Sequence, residues 1–166
     1  MRKVAIVMGS DSDLKTMQAA ADMLEKFQVP YRLRILSAHR TPDACRAFAL
    51  SAREEGYGAI IAGAGKAAHL AGALAASTTL PVIGVPIKSS TLDGLDALLS
   101  TVQMPTGMPV ATVAIDGAAN AALLAVQMLA IEDGALAEKY AAYRQETTRK
   151  VLEKDEALGK EAAHNA

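Results

Sequence analysis

The chain predicts an α/β fold, an open parallel sheet of five strands layered between helices. Three observations predict it. Short runs rich in Val and Ile alternate with longer segments whose apolar residues recur at helical spacing. Gly, Pro and small polar residues punctuate the changeovers. The first three apolar runs, Val4 to Met8, Leu33 to Leu36 and Ala59 to Ile61, each lead into a loop that opens a helix.

The elements follow in order. Val4 to Met8 reads as a buried strand. Leu14, Met17, Ala21, Leu24 and Phe27 then recur as one helix face, with the Ser/Asp cluster ahead of them supplying caps. Pro30 ends this unit and Tyr31 to Leu36 is the second strand. Thr41-Pro42 is a cap and first-turn pair for a helix that buries Cys45, Phe48, Ala49 and Ala52 and stops near Gly56. Tyr57 to Ile61 is the third strand, and Ala67 to Ser77 a helix of small residues. Pro81 to Pro86 is the fourth strand. Thr91 to Val102 reads as a helix with Leu95, Leu98, Leu99 and Val102 facing inward. Val110 to Ile115 is the fifth strand, and Asn120 to Ile131 a helix broken by Asp133-Gly134. A last long helix, about Ala135 to Lys154, carries a seam of Leu136, Tyr140, Tyr143, Thr147 and Val151.

Strands alternating with helices imply right-handed βαβ units. Five strands suggest the flavodoxin-like three-layer sandwich, order 2-1-3-4-5, whose first and third strands mark the switch point where ligands bind. The earlier helices already cover such a sheet, so the seam of the last helix is expected to bury itself in a neighbouring copy. Residues 1–155 read as one domain that includes this helix, and residues 156–166 as a polar tail that frays.

Of the 166 residues 51% are hydrophobic, but there is no Trp and only two Phe, so Ala carries much of the apolar count. A formal charge of −1 without a Lys/Arg cluster argues against nucleic acid as a partner. Cys45 is alone and cannot form an internal disulfide, which fits a reducing cytoplasm. The strand pattern begins at Val4, leaving no room for a signal peptide. The most apolar stretch, Met108 to Ile131, is broken by Asp116, Gly117 and Asn120, so no membrane span is expected. No His or Cys pair has metal-ligand spacing, and neither a phosphate-loop nor a dinucleotide fingerprint is present, so neither metal nor cofactor is expected.

The chemistry concentrates in the three loops. In Gly9-Ser10-Asp11-Ser12-Asp13, hydroxyls at a helix start offer an anion site, and a carboxylate beside it suits ribose hydroxyls; the same residues also serve as a plain capping cluster. In Ser37-Ala38-His39-Arg40-Thr41-Pro42, Arg40 suits bidentate phosphate recognition and His39 a proton shuttle near neutral pH. In Ala62 to His69, Gly63, Ala64, Gly65, Ala67 and Ala68 let a flat ligand lie against the backbone, or simply let strand and helix pack closely. His69 fits either a site or a structural role. His164, in the tail, reads as exposed to solvent.

Together these loops resemble the N5-carboxyaminoimidazole ribonucleotide mutase family, the PurE-type enzymes of class I. Val4-Ala5-Ile6-Val7-Met8-Gly9-Ser10, Ser37 to Pro42, Gln103-Met104-Pro105 and Asn120-Ala121-Ala122-Leu123-Leu124-Ala125 match it in order and spacing, so the resemblance runs to about Val151. It implies a flavodoxin-like subunit in a cytoplasmic homo-octamer. The implied reaction moves the carboxylate of N5-carboxyaminoimidazole ribonucleotide to ring carbon 4 without ATP, metal or biotin. By matching position, Ser10, Asp13 and Arg40 bind the ribonucleotide, Ser12 and Ser37 help hold its phosphate, and His39 is the acid and base. Ala38, between Ser37 and His39 in the same motif, is counted with the substrate-binding residues. Ala64, Gly65 and Ala67 line the pocket for base and carboxylate, with His69 nearby.

The chain departs from the family at three places. Lys66 stands where Gly is usual, Ala71 where Pro is usual, and the segment around Asp116-Gly117 is short. Lys66 is expected to alter the site rather than the fold. Direct carboxylation of aminoimidazole ribonucleotide is the alternative reaction, but its third loop usually opens with an Ala-Gly-Arg-Ser-like run, absent here. A non-catalytic module for FMN or a nucleotide is the other alternative, and the loops lack the aromatics that sandwich a flavin.

Overall fold

A continuous apolar run from Val4 to Met8 makes most of β1 (Lys3–Met8), the strand around which the sheet is built. The computed structural model describes residues 1–164, with side chains described through Lys160. β1 pairs in parallel with β2 (Tyr31–Ile35) on one side and β3 (Tyr57–Gly65) on the other. β4 (Val82–Ile87) and β5 (Ala111–Thr112) complete the order β2-β1-β3-β4-β5, as the sequence predicts. The register sets Met8 opposite both Ile35 and Gly63, so β1, β2 and β3 end at nearly one level.

Each sheet face carries its own core, because side chains alternate along a strand. On one face Val4, Ile6, Met8, Ala59, Ile61, Ile83 and Val85 meet α1 (Leu14–Lys26) and α5 (Ala118–Ala130). On the other, Ala5, Val7, Ile60, Ala62 and Val82 meet α2 (Pro42–Ser51) and α3 (Leu70–Ala75). The predicted inner residues of α2, namely Cys45, Phe48, Ala49 and Ala52, are all buried. Of the predicted α1 face, Met17, Ala21, Leu24 and Phe27 are buried, whereas Leu14 is 42% exposed.

Several expectations need correction. β3 runs to Gly65, past the expected Ile61, since Ala62 to Gly65 all pair with β4 and the first two of them also with β1. α3 begins at Leu70 rather than Ala67, after a turn that starts at Lys66 with a left-handed φ of 56°. β5 holds only Ala111 and Thr112. Left-handed φ at Leu92, Asp93 and Gly94 delays α4 to Leu95–Val102.

α4 also turns the opposite way. Ala97 and Thr101 face inward, while Leu95, Leu99 and Val102 are each nearly half exposed. The reason lies beneath it at Gly84. A Cβ there would stand 2.3 Å from Thr101 Cγ2 and 3.0 Å from Val110 Cγ1, so only the small face of α4 fits that close to β4.

The final helix, α6 (Gly134–His164), runs without a break across the expected boundary at residue 155. The first part of its seam, Leu136 to Tyr143, packs within the subunit. Leu136 is fully buried, and Tyr140 and Tyr143 pack on Phe27, with ring centroids 6.1 and 5.4 Å away. Val151, the end of the predicted seam, is 62% exposed.

Gly84→Ala is expected to lower unfolding stability by ~1–3 kcal/mol, the usual cost of overpacking against stiff β-branched neighbours. Urea midpoints would show it, and an unchanged midpoint would mean that α4 lifts off freely.

Candidate active site

The carboxyl ends of β1, β2 and β3 deliver the three loops to one side of the sheet. A cleft of about 650 Å³ opens there, and every candidate residue borders it. Ser10, Ser12 and Asp13 come from the loop after β1; Ser37, Ala38, His39 and Arg40 from the loop after β2; Ala64, Gly65, Ala67 and His69 from the end of β3 and the turn beyond. A larger hollow of about 890 Å³ lies where the chain enters β4, bordered by Arg53, Leu80, Pro81 and Met108. It holds no His or Cys, and its Arg53 guanidinium already donates to Thr79 Oγ1 at 3.2 Å and Thr79 O at 3.0 Å. The smaller cleft is the one that gathers the loop histidines.

The second loop is held by its own side chains. Thr41 Oγ1 accepts from the Ser37 N–H at 2.9 Å and donates to the Ser37 carbonyl at 3.1 Å. Pro42 then opens α2 with its fixed φ. Ser37 Oγ accepts from the Arg40 backbone N–H at 3.2 Å and from Arg40 Nε at 3.4 Å. Arg40 Nη2 reaches across to the Gly9 carbonyl at 2.6 Å, which ties the second loop to the first.

In the first loop Ser10 Oγ accepts from the Ser12 N–H at 3.3 Å and donates to Asp11 Oδ1 at 3.1 Å. Asp13 directly precedes α1 and is half-buried. Gly63 lets α1 come this close to β3, since a Cβ there would meet Met17 Sδ at 2.3 Å.

The two loop histidines meet across the cleft. His39 Nε2 and His69 Nδ1 are 2.8 Å apart, one donating to the other, and the rings stand nearly perpendicular at 83°. Among the described residues this leaves His39 Nδ1 and His69 Nε2 without a protein partner. Cys45 is buried, and that burial pushes its thiol up, away from the reactive thiolate.

Lys66 borders the cleft with φ 56°. A left-handed L-residue costs roughly 1–2 kcal/mol, which glycine avoids. Ala71 lies in the first turn of α3, a position that tolerates Pro. The short connection before α5 is a tight turn. Asp116, at φ 57°, donates its N–H to the Pro86 carbonyl at 2.8 Å, and its Oδ1 accepts from the Lys88 N–H at 2.9 Å.

Sequence reasoning missed Ile87, Lys88 and Ser89 at the end of β4, and Lys15, Thr16 and Leu70 on the flanking helices. The signal for the first group was present, since Lys88-Ser89-Ser90-Thr91 is another polar run after an apolar strand.

Burial pushes the Asp13 carboxyl above its ordinary value, and hydrogen bonding from Ser10 and the charge of Arg40 offset this only in part. The folded state thus holds the Asp13 proton more tightly than the unfolded chain does. Ionising Asp13 costs stability as pH rises from about 4 through the folded value. Asp13→Asn is expected to gain stability relative to the parent at pH 7 compared with pH 3.5. Urea midpoints at both pH values test this, and an equal difference at both would contradict it.

Known proteins resemble this chain in sequence and fold. The family model described as AIR carboxylase matches residues 3–150. The N5-carboxyaminoimidazole ribonucleotide mutase of Pyrococcus abyssi is 58% identical over 149 residues, spanning 90% of this chain and 86% of that protein. The Escherichia coli K12 protein of the same name is 54% identical over 159 residues, spanning 95% and 94%. The crystal structure of Treponema denticola PurE superposes with a TM-score of 0.84 at 30% identity, covering 93% of this chain and 97% of that one. The chain belongs to the AIR carboxylase family.

Proposed function

We propose that this protein is an isomerase of purine biosynthesis, converting N5-carboxyaminoimidazole ribonucleotide to its carbon-4 carboxylated isomer. The function rests on the mutase relatives at 54–58% identity over nine-tenths of the chain. The single geometric observation that carries the mechanism is the His39–His69 pair, set at the mouth of a cleft that also holds Arg40 and the first-loop hydroxyls.

The reaction breaks the carbamate C–N bond. Its electron pair stays on the exocyclic nitrogen, which takes a proton, and carbon dioxide is released. Ring carbon 4 then attacks the carbon dioxide, and loss of its proton restores the aromatic ring. We assign His39 as the group that gives the first proton and takes back the second. His69 holds the His39 ring through its 2.8 Å contact and fixes which nitrogen faces the ligand. Ser10, Ser12, Ser37 and Arg40 hold the phosphate end, and Asp13 the ribose. Ala38 offers backbone beside them. Ala64, Gly65 and Ala67 form a wall of small residues on which the imidazole can lie flat. A ring seated there would confine the carbon dioxide and favour its recapture.

We also propose a homo-octamer. Leu95, Leu99 and Val102 on α4 make an apolar face that the subunit itself does not cover, the kind of surface that obligate interfaces bury. A cytoplasmic location fits the single buried Cys45. Among the described residues no helix is long and apolar enough to cross a membrane.

An absorbance assay with N5-carboxyaminoimidazole ribonucleotide, and with aminoimidazole ribonucleotide plus bicarbonate, separates mutase from direct carboxylase. Turnover of only the second substrate would overturn the mutase assignment. His39→Asn is expected to bind product normally but to lose about two to four powers of ten in turnover. Near-parental turnover would remove His39 from the role. Light scattering should report an assembly of eight copies, whereas a stable monomer at micromolar concentration would contradict it.

A further inference from the structure

We propose that Lys66 recognises the migrating carboxylate of the substrate and so sets the preference of the site for carboxylated over uncarboxylated ribonucleotide. The inference rests on the mutase reading and adds a specificity contact to it. Three observations carry it. Lys66 is the only charged side chain in the wall formed by the end of β3 and the turn to α3, where its neighbours Ala64, Gly65 and Ala67 offer no charge. The backbone holds it in the left-handed region at φ 56°, a strained conformation for a residue other than glycine, kept here at the edge of the cleft. Among the described residues it has neither an acidic partner nor a hydrogen-bonding one.

Of the other cations bordering the cleft, Lys15 stands in the first turn of α1 beside the first loop, at the phosphate end. Arg40 is held by the Gly9 carbonyl and Ser37 Oγ on the opposite wall, and Lys88 pairs with Asp93 at 3.1 Å. The ribonucleotide carries anions at both ends, a phosphate and a carboxylate. With the phosphate at the first and second loops, the carboxylate falls beside the wall that Lys66 terminates. Lysine suits this anion in particular. Its compact ammonium on a flexible stem can follow a carboxylate from the exocyclic nitrogen to carbon 4, whereas a guanidinium fork favours one fixed geometry.

Calorimetric titration of the carbon-4 carboxylated product and of aminoimidazole ribonucleotide tests this, since both carry the phosphate and only one the carboxylate. Lys66→Gln is expected to weaken the carboxylated ligand by about tenfold, as loss of a charged hydrogen bond does, and to leave the uncarboxylated one within twofold. Lys66→Gly should do the same while relieving the left-handed backbone, so a folding defect cannot account for the loss. Equal weakening of both ligands would make Lys66 a phosphate contact, and no weakening of either would leave it facing solvent; each overturns the proposal. If the parent protein binds neither ligand, the mutase reading itself falls and this proposal with it. That result differs from a parent that binds both ligands and variants that match it.

Discussion

The whole site depends on β1 being hydrogen-bonded in parallel to β2 on one side and β3 on the other. Parallel strands must all end on the same side of the sheet, so three loops far apart in sequence open beside one another. Side chains then lock the alignment. The Arg40 bond to the Gly9 carbonyl joins the first two loops, and the His39–His69 contact joins the second to the third. Neither link would form in an antiparallel sheet, where successive strand ends alternate between the two edges.

Much of this arrangement was legible in the sequence because it rests on local chemistry. Val and Ile runs give strands, and Thr41-Pro42 gives a helix start. A hydroxyl, His or Arg after a strand gives a candidate site. The strand order followed from counting strands, and the convergence of the loops followed from the order. The ligand roles of the individual residues came from the family resemblance.

What the sequence hid was tertiary. The stretch from Ala62 to Gly65 looks like a loop, since small residues have weak strand propensity, yet its pairing with β4 along its whole length keeps it in the sheet. The leucines of α4 look like core, but the absence of a side chain at Gly84 brings the Ala97 and Thr101 face down instead. The tyrosines of α6 look spare until Phe27, more than a hundred residues earlier in the chain, is seen to receive them. The left-handed backbone at Lys66 carries no sequence signal, because lysine rarely adopts it.

The long last helix is held in two different ways. Its first turns are anchored by Leu136 and by the aromatic cluster of Phe27, Tyr140 and Tyr143. Farther along, a ladder joins Glu146 to Arg149 and Lys150, and Arg149 to Glu153, all at exposed positions. Apolar burial is nearly indifferent to moderate salt, whereas exposed ion pairs are screened within about 8 Å at physiological ionic strength. The helix therefore has an ionic-strength gradient along its length. Salt removes at most a small contribution per pair from the outer turns and leaves the anchored ones nearly unaffected, so fraying of the helix is set from its far end.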